Sequence, residues 1–410
     1  MRRQAVARCG AILSIVMLGS ATPTVWADEV SELKVKMQQM QETMRTMQAQ
    51  INRLESQKTT AYQETPASIQ KEPEGLLESL GQRVTFHGSA DMTYLDYGKQ
   101  GYRSGDSTFE SYEVYLATLV DIADDVKLYL EPRYEHGSDT IELRQGYLDW
   151  QLAEPLAVRL GKFYMPIGSY QKSYYNSLRK LVEYHYSMRL INIAPWEDTG
   201  LQLRGELPLG QGDMKLNYAF AIVNGLNANY TQHSSNSVRN ARQNRDNNSN
   251  KTVGGRLGFV PLRDLEVGVS WNTGEYDNNA RQRLDFFDAD FAYTLGDLEL
   301  NGEYVRSHAE TTAGLRRTDG FYVQGAYKLL KDFWGMNYLE LVAAFDVVNA
   351  GQALNDRFLI ARNQQVRRTA FGLNLSPRKH FLIKTEYSFT QENAPSIDNN
   401  AFLVQTVVDF

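Results

Sequence analysis

The chain of 410 residues holds a single cysteine, Cys9, which excludes a disulfide framework and thiolate metal or redox chemistry. Its six histidines (His87, His136, His185, His233, His308, His380) are scattered, without metal-ligand spacing. "GGRLGF" at Gly254 lacks the Lys-Ser/Thr of a phosphate loop, and no local nucleophile–base signature is present, so no cofactor, metal or enzymatic activity is expected. Long apolar runs are also missing. The one run, "AILSIVMLG", is too short to cross a bilayer as a helix. It follows Arg2, Arg3 and Arg8 and precedes small residues ending at Ala27, the layout of an export signal over residues 1–27 that contains Cys9. No lipobox precedes that cysteine. A mean hydropathy of -0.46 suits a soluble protein, and equally a transmembrane barrel, whose lipid-facing and lumen-facing residues alternate and cancel.

What is present begins with a heptad pattern. Between Val30 and Leu54 apolar residues fall at 30, 33, 37, 40, 44, 47, 51 and 54, with polar flanking positions, which predicts a coiled coil over residues 28–58 and self-association. Met37, Met40, Met44 and Met47 fill the middle of this seam; such flexible side chains specify strand number poorly. Residues 59–82, with Pro66, Pro73 and Gly75, read as a linker.

From Arg83 onward the period becomes two. Sixteen strands are predicted, near 83–97, 108–121, 124–135, 141–151, 155–164, 196–208, 212–223, 251–261, 264–276, 282–295, 297–309, 316–329, 337–348, 363–376, 380–392 and 398–410. Tight connections ("LAEP", "PLRD", "LGD", "PRK") alternate with longer polar ones, the outer-membrane arrangement of short periplasmic turns and long external loops. Stacked soluble sandwiches have no reason to alternate loop lengths and need a more apolar inner face. Here one face is charged: in 124–135, Val126, Leu128 and Leu130 alternate with Lys127, Glu131 and Arg133. The expected fold is therefore all-β, a 16-stranded antiparallel transmembrane β-barrel over residues 83–410, preceded by a short α-helical coiled coil. The strand "NNAFLVQTVVDF" fits a barrel whose final strand pairs with the first, with Phe410 at the periplasmic rim.

"LAVRLGKFYMPIGSYQ" (Leu156–Gln171) and "LVEYHYSMRLINIAPWEDTGLQLRGEL" (Leu181–Leu207), followed by "YAFAIVNGLN", resemble the phosphate-selective porin O and P family. In that family a strand ending in Gly-Lys-Phe-x-x-Pro-x-Gly leads into a loop folded into the lumen. The heptad segment is more similar to the N-terminal coiled coils of some dicarboxylate-uptake and siderophore-uptake porins. Residues 83–410 are not basic, with 34 Lys/Arg against 40 Asp/Glu, which speaks against carrying over a phosphate preference.

A pore selects at its narrowest charged ring. The segment Pro166–Pro195 holds Lys172, Arg179, Lys180, His185 and Arg189 against one acid, Glu183, interleaved with tyrosines including Tyr184. Folded inward, as the resemblance implies, it forms a cationic, aromatic-lined constriction; as a solvated loop its charges meet only water. By alternation Lys127, Arg133, Arg144, Arg159, Arg204, Arg256, Arg368 and Lys384 line the lumen, accompanied by Glu131, Glu142, Glu206 and Glu386. Such mixed charges either orient solutes or neutralise one another structurally. The expectation is an outer-membrane porin for passive diffusion of small anionic or polar solutes, phosphate or carboxylates among them. The alternatives are a siderophore-uptake porin and a tether from membrane to cell wall. Expected partners are outer-membrane lipid, a small solute and two further copies in a homotrimer, with cell-wall contact in the tether case. Nucleic acid is not one, because the basic "RNARQNR" loop faces the exterior.

The heptad reading makes a direct prediction. Met40→Asp with Met47→Asp puts charge into the seam and should loosen association of residues 28–58 while leaving single-barrel conductance unchanged. Cross-linking of that segment should give trimers, and a dimer or monomer overturns a shared three-fold axis.

Overall fold

The computed structural model describes most of residues 83–410, with the longest breaks at 99–106, 136–140, 229–240 and 351–364, and only isolated positions between 42 and 49. The export signal, the heptad seam and the linker lie outside the described residues. Two units are distinguished, residues 1–74 and 75–410. The strands all belong to the second unit.

Alternation gives these segments two faces, and the strand register brings like faces together. In β14 (Met336–Ala350), Leu341 and Phe345 are exposed while Glu340, Val342, Ala344 and Asp346 are buried. In β16 (Phe381–Glu392), Tyr387 and Phe389 are exposed while Lys384, Glu386 and Ser388 are buried. Apolar side chains point outward and polar ones inward, the reverse of a soluble protein and the pattern of a barrel in lipid.

The order is β1 (Val84–Tyr97), β2 (Thr108–Glu110), β3 (Glu113–Ala123), β4 (Val126–Glu135), β5 (Ile141–Ala153), β6 (Leu156–Tyr164), β7 (Glu197–Pro208), β8 (Lys215–Val223), β9 (Thr252–Leu262), β10 (Leu265–Glu275), β11 (Arg283–Leu295), β12 (Leu298–Thr311), β13 (Gly314–Phe333), β14, β15 (Gln365–Arg378), β16 and β17 (Ala401–Asp409). Sequence neighbours pair antiparallel, and β1 pairs with β17 from Ser89↔Asp409 to Tyr97↔Ala401. β2 and β3 both pair with β1 and act as one interrupted strand, so the sheet closes as a 16-stranded barrel. The predicted strand near 108–121 breaks because Asp91 of β1 intervenes: its Oδ1 accepts the Glu113 amide at 2.6 Å, and its carbonyl accepts the Ser111 hydroxyl at 3.2 Å.

The closing seam extends to Phe410, whose amide donates to the Gly88 carbonyl at 3.0 Å while the Gly88 amide donates to the Phe410 carbonyl at 3.1 Å. The Phe410 ring lies over Gly88, occupying the space a Cβ would need. Any side chain at position 88 therefore pushes the ring away from the seam. Inside the barrel, Gln405 Nε2 donates to Asp91 Oδ2 at 2.9 Å and to Thr93 Oγ1 at 3.0 Å, tying the same two strands from within.

Gly88→Val should lower the fraction of heat-modifiable barrel recovered on refolding into detergent micelles, and adding Phe410→Ala should restore part of it by removing the clash. Wild-type recovery for the Gly88→Val variant counts against the packing described.

Candidate functional site

Between β6 and β7 the described residues 165–191, 195 and 196 lie inside the barrel. They contain a 3-10 turn, Tyr170–Ser173, and a short helix, α1, Tyr186–Ile191. A solvated loop would have little use for the apolar residues found here. Met165, Ile167, Tyr170, Tyr184, Met188, Ile191 and Trp196 are buried in one cluster with inward residues of the wall, among them Val223, Phe286, Val305, Tyr322 and Val366. Leu181 packs on Ala326, Val342, Ala344 and Ala370, and Val182 on Leu95, Ala401 and Leu403.

A backbone N–H taken out of water needs a partner; some of the loop's amides donate to its own carbonyls, and five donate to carboxylates of the wall. Glu303 Oε2 on β12 accepts from the amides of Ser169 (3.0 Å) and Tyr170 (2.8 Å). Glu386 Oε2 on β16 accepts from those of Val182 (2.8 Å) and Glu183 (2.9 Å). Asp346 Oδ1 on β14 accepts from the Tyr186 amide at 3.1 Å and faces His185 Nδ1 at 3.1 Å. The Gly168 amide donates to Ser270 Oγ on β10 at 2.8 Å. Gly168 itself has φ +58 and backs onto the Glu303 carboxylate with no room for a Cβ. On the other side of the barrel, the Tyr175 hydroxyl donates to Glu131 Oε2 on β4 at 2.7 Å, and Tyr97 on β1 donates to Glu183 Oε2 at 2.7 Å. Burial, aided by the charge of Glu131, pushes the Tyr175 hydroxyl far above its ordinary pKa, so it stays a donor.

The predicted loop residues are thus brought inside, but most of their charge is consumed there. Arg179 is buried and donates to the carbonyls of Tyr174, Leu181 and Val182, stacking over the Tyr184 ring at 4.0 Å. Lys180 bridges Glu340 (2.8 Å) and Glu299 (2.9 Å). Burial works against its charge, but those two carboxylates prevail and hold its pKa above the ordinary value. Arg189 pairs with Glu183, and the His185 ring stacks on Tyr322 with centroids 3.7 Å apart. Lys172 differs: its side chain stays 63% exposed and its ammonium meets Glu266 at 3.3 Å.

The wall cations divide in the same way. Arg144 is buried against Glu113 (2.8 Å), Glu131 (3.5 Å) and Glu197 (3.8 Å), and Arg133 against Glu142 (3.5 Å). Arg368 is buried between Asp346 and Glu386 and donates to the Tyr184 carbonyl. Lys384 is buried on the Asn176 carbonyl and Gln405. Lys127 pairs with Asp121 at 3.0 Å near the tight-turn rim, both partly exposed. Of the two roles that alternation left open for these mixed charges, mutual neutralisation describes the enclosed pairs. Inward-pointing residues hold the loop at Arg144, Arg368 and Lys384, while others face open space.

That open space lies along β6–β9. These strands, with Pro166–Gly168, Gln171, Lys172 and Tyr175 of the loop, enclose a cavity of about 650 Å³ lined also by Arg159, Arg204 and Arg256. Arg159 and Arg204 share the single carboxylate of Asp149; Arg159 reaches it at 2.8 Å and stacks over Tyr147 at 3.8 Å. Arg204 remains 41% exposed. Arg256 lies between Asp290 (2.5 Å) and Glu266 (2.6 Å). Glu154 and Glu206 also line the cavity, the latter paired with Lys215 at 2.8 Å. The acids Glu303, Asp346 and Glu340 that hold the loop, and Asp149 that holds the cavity arginines, escaped the sequence reading, because an inward carboxylate looks the same whether it meets water, a loop or another strand. The available signal was the apolar content of Met165–Trp196.

A closed barrel with apolar outer and charged inner faces, narrowed by a loop from its own wall, defines an outer-membrane porin. The model of the family described as phosphate-selective porin O and P matches residues 83–285 of the chain. Among curated proteins, none matches the chain. Solved structures share the fold. An anion-selective porin from Comamonas acidovorans is 12% identical with a TM-score of 0.56, covering 80% of this chain and 98% of its own. OmpF of Salmonella typhi, in complex with daunomycin, is 13% identical with a TM-score of 0.54, covering 80% and 97%. The trimer form of OmpT, an outer membrane protein of Vibrio cholerae, is 12% identical with a TM-score of 0.52, covering 80% and 99%.

Releasing the loop should widen the pore. Glu303→Ala combined with Glu386→Ala removes the acceptors of four loop amides and should raise single-channel conductance and its open-channel noise in planar bilayers, with the barrel still heat-modifiable. Unchanged conductance in a folded double variant would show that these anchors do not set the opening.

Proposed function

We propose that the porin passes small anionic or polar solutes by diffusion along the β6–β9 side of the inward loop. The observation that carries this reading is the Arg159–Arg204 pair on one Asp149, which leaves a surplus positive charge on the cavity wall. Lys172 faces the same cavity from the loop. Among the described residues, Arg144, Arg179, Lys180, Arg368 and Lys384 are held against acids or carbonyls, whereas on this arc a passing ion meets incompletely neutralised charge. A charge at the edge of a narrow, low-dielectric passage acts more strongly than the net charge of the whole barrel. The Glu154 and Glu206 carboxylates at the cavity margin oppose it, which favours a moderate preference over strict exclusion of cations.

The proposal includes the assembly: three barrels, each with residues 1–27 as a removed export signal, 28–58 as a periplasmic coiled coil and 59–82 as a linker. The trimer form among the fold relatives and the heptad seam support it.

Reversal potentials in a potassium chloride gradient test the ion preference. The wild type should favour chloride, and Arg204→Glu should lower the anion-to-cation permeability ratio several-fold or invert it, because it converts the surplus positive charge to a negative one. A cation-preferring wild type, or an Arg204→Glu variant with the same ratio, defeats the reading.

A further inference from the structure

The outer wall carries polar residues where only apolar ones would be expected. On β10, Val267, Val269 and Trp271 are exposed, alternating with buried Ser270 and Asn272, so this row faces lipid. The register carries it sideways through Trp271↔Phe287 and Phe287↔Arg306, and one step further toward the loops through Thr273↔Asp285 and Asp285↔His308. Arg283 joins from the start of β11, next to the loop that follows β10. These side chains line an outward cavity of about 450 Å³. Its apolar part is Trp271, 51% exposed, and Phe287, 45% exposed. The tight turns 262–265 and 295–298 lie at the opposite ends of these strands, so the cavity sits at the external end of the barrel.

Its charges are unevenly used. Arg283 donates to Thr273 Oγ1 at 2.9 Å and lies 3.6 Å from Asp285. Asp285 also accepts from Thr273, so these three form a closed set. Arg306 makes no ion pair among the described residues; its guanidinium lies 5.7 Å from the Tyr304 ring. Asp319 is opposite it in the register but accepts from Asn349 at 2.9 Å. His308 Nε2 is buried without a hydrogen-bond partner. An arginine on the lipid face is costly, to an extent that depends on depth, and it is retained most readily where it meets an anion.

We propose that this cavity binds the phosphorylated headgroup of an outer-leaflet glycolipid. The phosphate accepts from the Arg306 guanidinium and from His308 Nε2 as an N–H, charge-assisted bonds that suit a forked donor. The acyl chains run down the Val269 row, with Trp271 and Phe287 at the boundary between headgroup and hydrocarbon, where amphipathic rings sit. The charge complementarity singles out a lipid phosphate over an uncharged partner, and the adjoining apolar row singles out a lipid over a free anion.

The test uses full-length protein in detergent and native mass spectrometry during titration with a bis-phosphorylated glucosamine lipid or its dephosphorylated form. The wild type should bind the phosphorylated lipid, and Arg306→Gln should weaken binding about tenfold, as for loss of one charge-assisted hydrogen bond. Arg306→Lys should retain most of the affinity, and single-channel conductance should not change in either variant. Equal binding of the dephosphorylated lipid, equal binding by a folded Arg306→Gln variant, or displacement by millimolar inorganic phosphate overturns the proposal. So does a shift in oligomeric state with lipid binding intact, which would make the face a contact between copies. If Arg306→Gln fails to fold, the wild-type comparison of the two lipids and of inorganic phosphate decides alone.

Discussion

In hydrocarbon a backbone amide or carbonyl without a partner is too costly to tolerate, and a sheet satisfies this condition only by closing on itself. The rest of this molecule depends on the seam where β1 meets β17. It runs from Ser89↔Asp409 to Tyr97↔Ala401, with Phe410 bonded to Gly88 beyond it. Once the ladder is closed, the inward side chains are relieved of any duty toward the backbone of the wall. They can then be charged, and their charges can serve a second chain segment.

That second use explains the lumen. A loop drawn inside a barrel faces the same requirement on a smaller scale, with no strand to pair against. Glu303, Glu386 and Asp346 supply acceptors for five of its amides, while Arg368 and Asn374 donate to its carbonyls at Tyr184 and Lys180. Buried ions are tolerable when their remaining lone pairs and protons are occupied, and these wall residues meet that condition through the loop. The barrel's near balance of acids and bases thus hides a division of labour. Much of the described interior charge is structural, while Lys172 and Arg204 stay exposed beside the β6–β9 cavity.

Much of the barrel was legible in the sequence, because alternation and turn spacing are properties of single strands. The strands found lie at the sixteen predicted positions, and the interruption at Ser111 was missed because it depends on Asp91, on a neighbouring strand. The inward fold of Met165–Trp196 came from a family resemblance, although Met165, Ile167, Leu181, Val182 and Met188 already marked it as a segment to be buried. Which charges are spent and which are free was not legible. Arg144 and Arg204 both alternate inward, and only the register of three or four strands with the loop shows that one is enclosed by Glu113, Glu131 and Glu197 and the other is not.

The seam between β1 and β17 also sets a clock. The bond from Gln405 to Asp91 joins residues 314 positions apart, and contacts of such separation form late because the intervening chain must first be organised. Until then β1 presents an unpaired edge, the condition in which strands recruit the wrong neighbours. An unfinished barrel is therefore most vulnerable at its oldest strand, and it remains so until its youngest has arrived.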